Sequence, residues 1–303
     1  MYILIAFLAG CGLPLQAAAN ARLGRAVGNP FAAATIQLVI AAALLLLAAI
    51  AAGQLAALQG VVHATWWQLL AGLASAAYVV AGIVLFPRLG AVATVGLFIA
   101  GQACASLVLD GFGLFGIPER PPGLPTWLGA AAVVLGIALI VGAGGGAQVR
   151  TPGRAGWMAL AAACGALLPV QGALNVSFVG VVGAPLAVAL TSFVVAALGM
   201  GAVCLGMHGV GARGRPHAQG LGKMPWWGWS GGLVGACYVT GVFTAMPRIG
   251  AAATIGFTIA GQQLVSLLID RYGLLGLPGG PVPRARLAGA IALLGGVLSI
   301  KLA

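Results

Sequence analysis

Two stretches of this sequence occur twice, and the duplication limits the fold more than any other feature. LPLQAAANARLGRAVGNP, beginning at Leu13, aligns without gaps on LPVQGALNVSFVGVVGAP, beginning at Leu168, an offset of 155. PRLGAVATVGLFIAGQACASLVLDGFGLFGIP from Pro87 aligns on PRIGAAATIGFTIAGQQLVSLLIDRYGLLGLP from Pro247, an offset of 160. The five-residue difference falls in the polar stretch GARGRPHAQG, which reads as a loop. The chain therefore divides into two like halves, residues 1–147 and 148–303, joined in one membrane domain.

Each half holds five apolar runs bounded by Gly, Pro and charge. They lie near 2–23, 30–52, 66–86, 90–109 and 125–143, then near 155–177, 185–207, 226–246, 250–269 and 285–302. With 61% hydrophobic residues and 14 Lys+Arg against 3 Asp+Glu, a water-soluble globule is excluded. Runs of about 20 residues match one bilayer crossing. Lipid offers backbone groups no partner outside a helix or a closed barrel, and uninterrupted apolar runs are not barrel strands. The reading is an all-α integral membrane protein of ten transmembrane helices. Five is odd, so the second half enters from the opposite side and the halves are inverted repeats. A signal peptide over residues 1–19 is a poor fit, because no basic segment precedes the run and the run has a copy in mid-chain.

A net charge of +11 would suggest nucleic acid in a soluble protein. Here the bases stand singly or in pairs between apolar runs, which is how a membrane protein fixes its orientation. One side of the membrane takes Arg22, Arg25, Arg88, Arg150, Arg154, Arg213, Arg215, Lys223, Arg271, Arg284 and Arg286; the other takes Arg120, Arg248 and Lys301. The count places the first side in the cytoplasm and both termini outside. Trp66, Trp67, Trp226, Trp227 and Trp229 open the third and eighth spans as interfacial anchors. Cys11, Cys104, Cys164, Cys204 and Cys237 show no paired spacing and read as small core residues.

No Asp or Glu stands near the centre of a span, so proton or cation coupling lacks its usual carboxylate there. What remains is a set of amides, hydroxyls and phenols at matched positions. Gln16 and Asn20 share a helix face just after Pro14, and Gln171 and Asn175 repeat them after Pro169. Proline removes a backbone donor and kinks a helix, and kinked helices at matched positions point to a transporter's binding site. The bland reading of these amides is interhelical glue. Thr94, Gln102 and Ser106 on the fourth span match Thr254, Gln262 and Ser266 on the ninth, beside small residues Gly96, Ala100, Gly101 and Gly256, Ala260, Gly261 that permit close packing. Tyr78 and Tyr238 sit midway along the third and eighth spans.

Asp110 and Asp270 end their helices, where the macrodipole disfavours an anion. By topology Asp110 shares a side with Arg248 and Asp270 with Arg88, so two ion pairs latching the halves are expected; the alternative is a solvated carboxylate in a turn. The halves also differ: Arg22 matches Ser177, Gln37 matches Ser192, Phe98 matches Thr258 and Ala103 matches Gln263.

The PLQxxxN…VGNP opening and the PRLGA…T…G…IAGQ…S…D…G segment, set in two five-span halves, resemble the drug/metabolite transporter superfamily. The resemblance is strongest to its YdcZ-like branch of inner-membrane exporters, here as a tandem-fused ten-helix form of EamA-like fold. It implies a bacterial inner-membrane location. It also implies a cavity lined by the first, third, fourth, sixth, eighth and ninth helices, with the fifth and tenth packing the halves together. Small multidrug relatives use a carboxylate on their first helix, and this chain has none there. Ten-helix members keep their termini in the cytoplasm, against the charge count.

The expected function is secondary export of a small polar metabolite by alternating access. Gln16, Asn20, Gln171 and Asn175 would bind it, and Tyr78, Gln102, Tyr238 and Gln262 would complete the wall. The alternative is a lipid or lipid-linked glycan flippase. No catalytic set, metal site or cofactor is expected, because His63, His208 and His217 lie in loops and the three acids at span ends or in loops. The expected partners are the metabolite and membrane lipids, with no nucleic acid, and the chain is either a monomer or a homodimer.

Overall fold

The computed structural model describes residues 1–143, 153–209, 216–276 and 280–302, and among them there is no strand. The first half forms α1 (Tyr2–Val27), α2 (Pro30–Ala51), α3 (Trp66–Leu89), α4 (Ala91–Gly111) and α5 (Leu124–Ala143). The second forms α6 (Arg154–Gly165), α7 (Leu167–Val182), α8 (Pro185–Gly209), α9 (Gly231–Ile249), α10 (Ala251–Tyr272) and α11 (Arg284–Leu302). Among the described residues eight segments are long and apolar enough to cross a membrane, counting α6 and α7 as one. In α5 and α11 the apolar stretches described, Leu124–Gly136 and Leu287–Gly296, are shorter. The 147/148 boundary and Arg150, Arg213 and Arg215 lie outside the described residues, as do the side chains of His208, Arg286 and Lys301.

Local chemistry sets the helix ends. Gly28, at φ 70°, ends α1 in the left-handed region, and Asn29 then starts α2 by accepting from the Phe31 and Ala32 amides at 2.9 and 3.1 Å. Pro30 follows at the first helical position, where its missing N–H costs nothing. Replacing Asn29 by Ala strands two amides, so Asn29→Ala should cost about 1 kcal/mol, read as a fall of a few degrees in the melting temperature of the detergent-solubilised protein.

The two prolines expected to kink matched helices behave differently. α1 runs unbroken through Pro14, whereas the sixth span breaks at Ala166, between α6 and α7. Pro169 explains the break, since its ring excludes the hydrogen bond to the carbonyl four residues back, that of Gly165. The eighth span also starts later than expected. Trp226–Trp229 is a 3-10 turn, and the α-helix begins at Gly231. Trp66 and Trp226 are strongly exposed, as interfacial anchors should be. The cysteines are all free, but none is buried: Cys104 and Cys237 are exposed on outer helix faces and the other three are half-buried. In a bilayer an outer face is as apolar as a core, so a small sulfur side chain is tolerated there.

Helices approach most closely through glycines at corresponding positions. Where α1 meets α10, a Cβ on Gly10 would collide with the Thr258 backbone and one on Gly261 with the Phe7 carbonyl. Where α6 meets α4, Gly165 bears the same relation to Phe98 and Gly101 to the Ala162 carbonyl. Gly165 stands 155 residues after Gly10, and Gly261 stands 160 after Gly101, the two offsets of the sequence repeat. Gly72 of α3 lies on Ser192 and Ala196 of α8, and Gly232 of α9 lies on Gln37 and Ala41 of α2, again at matched positions. Each of these crossings joins a helix of one half to a helix of the other, and so does the extensive packing of α5 on α11.

Candidate functional site

The buried polar side chains gather along the seams between the halves. On α3 and α7 two hydrogen bonds set the register. Gln68 Nε2 donates to Ser177 Oγ at 3.0 Å, and Ser75 Oγ donates to Gln171 Oε1 at 2.8 Å. Residues rise along α3 as they fall along α7, so the two helices run antiparallel. One turn beyond Gln171, Asn175 Oδ1 accepts from Ser192 of α8 at 2.6 Å, while its Nδ2 is buried with no protein partner.

The matching seam lies between α1 and α9. Gln16 is half-buried against Gly235, where a Cβ would stand 2.7 Å from its Nε2. Gly235 holds the position that Ser75 holds in the first half, so the amide matching Gln171 faces a glycine instead of a hydroxyl. Asn20 sits against Gly231, and its buried Oδ1 has no protein partner. Gln37 fills the rest of this seam and is fully used. Its Nε2 donates to the Gly228 carbonyl at 2.8 Å and its Oε1 accepts from the Gly232 amide at 2.7 Å.

The two tyrosines stand on corresponding helices of the two halves, Tyr78 on α3 and Tyr238 on α9. The Tyr78 ring lies 4.7 Å from that of Phe98 on α4. Tyr238 is buried, faces Thr258 on α10, and closes no hydrogen bond with its hydroxyl. Four residues beyond Phe98, on the same face, comes Gln102, only 1% exposed and with both amide atoms unpartnered. Four beyond Thr258 comes Gln262, whose Oε1 is also unpartnered. Thr240 Oγ1 of α9 adds another. The Phe98/Thr258 difference between the halves thus sets an aromatic ring beside Tyr78 and a hydroxyl beside Tyr238.

Of the eight expected site residues, five carry an unpartnered buried polar atom: Asn20, Gln102, Asn175, Tyr238 and Gln262. Gln171 is tied to Ser75, Gln16 faces Gly235 and Tyr78 is packed on Phe98. Among the described residues no two of the eight are hydrogen-bonded to one another. Ser75, Gln68 and Thr240 escaped the sequence reading, and Ser177 entered it only as the match of Arg22, since nothing in the chain links Ser75 to a partner 96 positions away. Thr94, Ser106 and Thr254, expected beside the site, instead bond carbonyls of or just before their own helices: Gly90, Ala103 and Gly250. Native proteins leave few buried groups unpaired, and each costs about 1–3 kcal/mol. The unpartnered atoms here belong to neutral amides and hydroxyls, and the one buried charged side chain among the described residues is Asp110 at the end of α4.

The expected Asp110–Arg248 ion pair has a different form. Asp110 accepts from the Ala251 amide at 2.6 Å and the Ala252 amide at 2.7 Å, capping the start of α10. The Arg248 guanidinium lies over the Tyr2 ring, 5.8 Å away, and its carbonyl accepts from Arg120. A carboxylate is better placed on the free N–H groups and positive end of a helix than beside an exposed guanidinium. At the other end of the molecule the Arg88 guanidinium stacks 4.6 Å from the Trp157 ring.

Residues 1–139 and 156–299 match the protein family described as "Putative inner membrane exporter, YdcZ". The chain also superposes on a solved protein crystal structure with a TM-score of 0.69 at 21% identity, covering 99% of this chain and 95% of the other, which indicates a shared fold. No curated protein matches. The match in two parts accords with a tandem fusion, and an exporter family speaks for a transporter rather than an enzyme. The chain belongs to the YdcZ family of inner-membrane exporters, as a multi-pass protein of that membrane.

Proposed function

We propose that the protein exports small polar metabolites by alternating access, as two inverted five-helix repeats, residues 1–147 and 148–303, around a shared polar site. The observation that carries this reading is that both halves bury unpartnered amide and hydroxyl atoms, at Asn20 and Gln102 in the first and at Asn175, Tyr238 and Gln262 in the second. The glycine crossings at matched positions and the antiparallel run of α3 on α7 support the inverted arrangement, and α5 and α11 supply the remaining two of ten spans. A site shared by two like halves can open to either side in turn. The site is neutral, so the substrate it suits is bound through hydroxyl, amide or paired charges of its own.

The test is flux in proteoliposomes against a panel of amino acids, amines, sugars and nucleosides. Asn20→Leu and Asn175→Leu should each lower transport of the accepted substrate by about tenfold or more, the effect of losing about 1.4 kcal/mol of binding. Unchanged flux in both variants removes the site. The alternative reading is a lipid or lipid-linked glycan flippase. It predicts transfer of a fluorescent lipid between leaflets, with no flux of soluble metabolites.

A further inference from the structure

The repeated PRxGA and D elements lie 20 residues apart in sequence, yet the D of the first half meets the GA of the second in space. Asp110, 6% exposed, ends α4 and closes both carboxylate oxygens on the first two amides of α10. Gly250, at φ 89°, stands directly beneath: a Cβ there would lie 2.9 Å from Asp110 Oδ2 and 3.0 Å from Arg120 Nη1. Arg120 completes the arrangement. Its amide donates to the Asp110 carbonyl at 2.7 Å, and its Nη2 donates to the Arg248 carbonyl at 3.3 Å.

The same face of the molecule carries other ties between the halves. Gln54, just after α2, accepts from the Leu186 amide at the start of α8 at 3.0 Å, so two helix starts of the second half are capped from the first. The end of α7 packs on the turn Leu114–Gly116, where Phe115 holds φ 57° and its ring lies 5.7 Å from that of Trp67. At the opposite end the turn Leu274–Gly276 makes no comparable contact with α1 among the described residues. The matched elements there are Gly90, at φ 83°, before α4, and Asp270 at the end of α10.

We infer that Asp110 is the gate clasp of this carrier, a positioning residue whose bonds to Ala251 and Ala252 must release before the mouth beside Phe115 and Trp67 can open. This rests on the alternating-access reading. An ionised carboxylate binds two amides at once through charge-assisted bonds, so the clasp holds the ends of two gate helices from opposite halves at one point. A side-chain amide in its place offers a single oxygen and no charge.

Hydrogen exchange read by mass spectrometry on the reconstituted full chain tests it. Asp110→Asn should raise exchange at residues 251–252 by roughly tenfold, and also at the facing gate segments 66–70, 114–116 and 176–182, with no rise at 20–27 and 217–224. Ala251→Pro approaches the same contact from the other partner, removing one donor at a helix position where proline is tolerated, and should raise exchange at residue 252 and at the same gate segments should the first variant fold poorly. A rise confined to 250–253 makes Asp110 a helix cap and nothing more, and overturns the gate; no rise at all overturns the clasp itself. A full gate response in a protein that carries no metabolite would leave the clasp standing and defeat the transport reading instead.

Discussion

Gly101→Val should leave no well-folded protein, while Gly206→Ala, a change of the same kind on an outer face, should be neutral or slightly stabilising. At Gly101 even a single added carbon collides with the Ala162 carbonyl and stands 3.0 Å from the Ala166 amide. Both contacts are backbone, so no rotamer change relieves them; α4 and α6 must move apart. That separation loses close contact along a whole crossing, and overpacking of this kind costs about 1–3 kcal/mol or more. In a membrane the loss weighs heavily, because helix association there depends on packing rather than on hydrophobic burial. A cost of about 3 kcal/mol or more corresponds to a melting temperature lower by roughly 10 °C, or to loss of the monodisperse peak on size exclusion. Gly206 has open space where its Cβ would go, and alanine favours helix by up to about 1 kcal/mol. Equal stability of the two variants would mean that α4 and α6 do not cross at this glycine.

The crossing shows what the sequence makes legible. Small residues at Gly101 and Gly261 were readable as packing surfaces because they sit in apolar helices at matched positions, and both turn out to touch backbone of the opposite half. Helix existence was readable for the same reason: apolar length leaves the chain no alternative. The helix breaks were less so. Pro14 and Pro169 look equivalent in sequence, but the first is absorbed within α1 and the second stands just after a break between α6 and α7. The partner of Asp110 was hidden because a helix start has no sequence signature as an anion site unless its neighbours are known. Gln37 looked like a difference between halves, and its two bonds, to residues 191 and 195 positions away, make it a structural tie. Amide identity alone therefore does not separate glue from site; the partners do.

That distinction gives the prediction with the greatest consequence for function, the response of Gln102 to removal of its amide. Gln102→Met keeps the length and shape of the side chain and deletes two buried polar atoms that have no protein partner. Unsatisfied groups of this kind cost about 1–3 kcal/mol each, so the variant should melt at the same temperature or a few degrees higher. Transport should fall by about tenfold or more, since a group kept in the membrane interior at a cost in stability is one that meets the substrate. Gln37→Met should do the reverse in stability. It strands the Gly228 carbonyl in the turn before α9 and the Gly232 amide at its start, and should lower the melting temperature by several degrees. Melting and flux measured on the two variants side by side place each residue. A stabilised Gln102→Met protein with full flux would remove Gln102 from the site. A destabilised one would mean that its amide is held by a partner in the membrane and belongs with Gln37 among the ties.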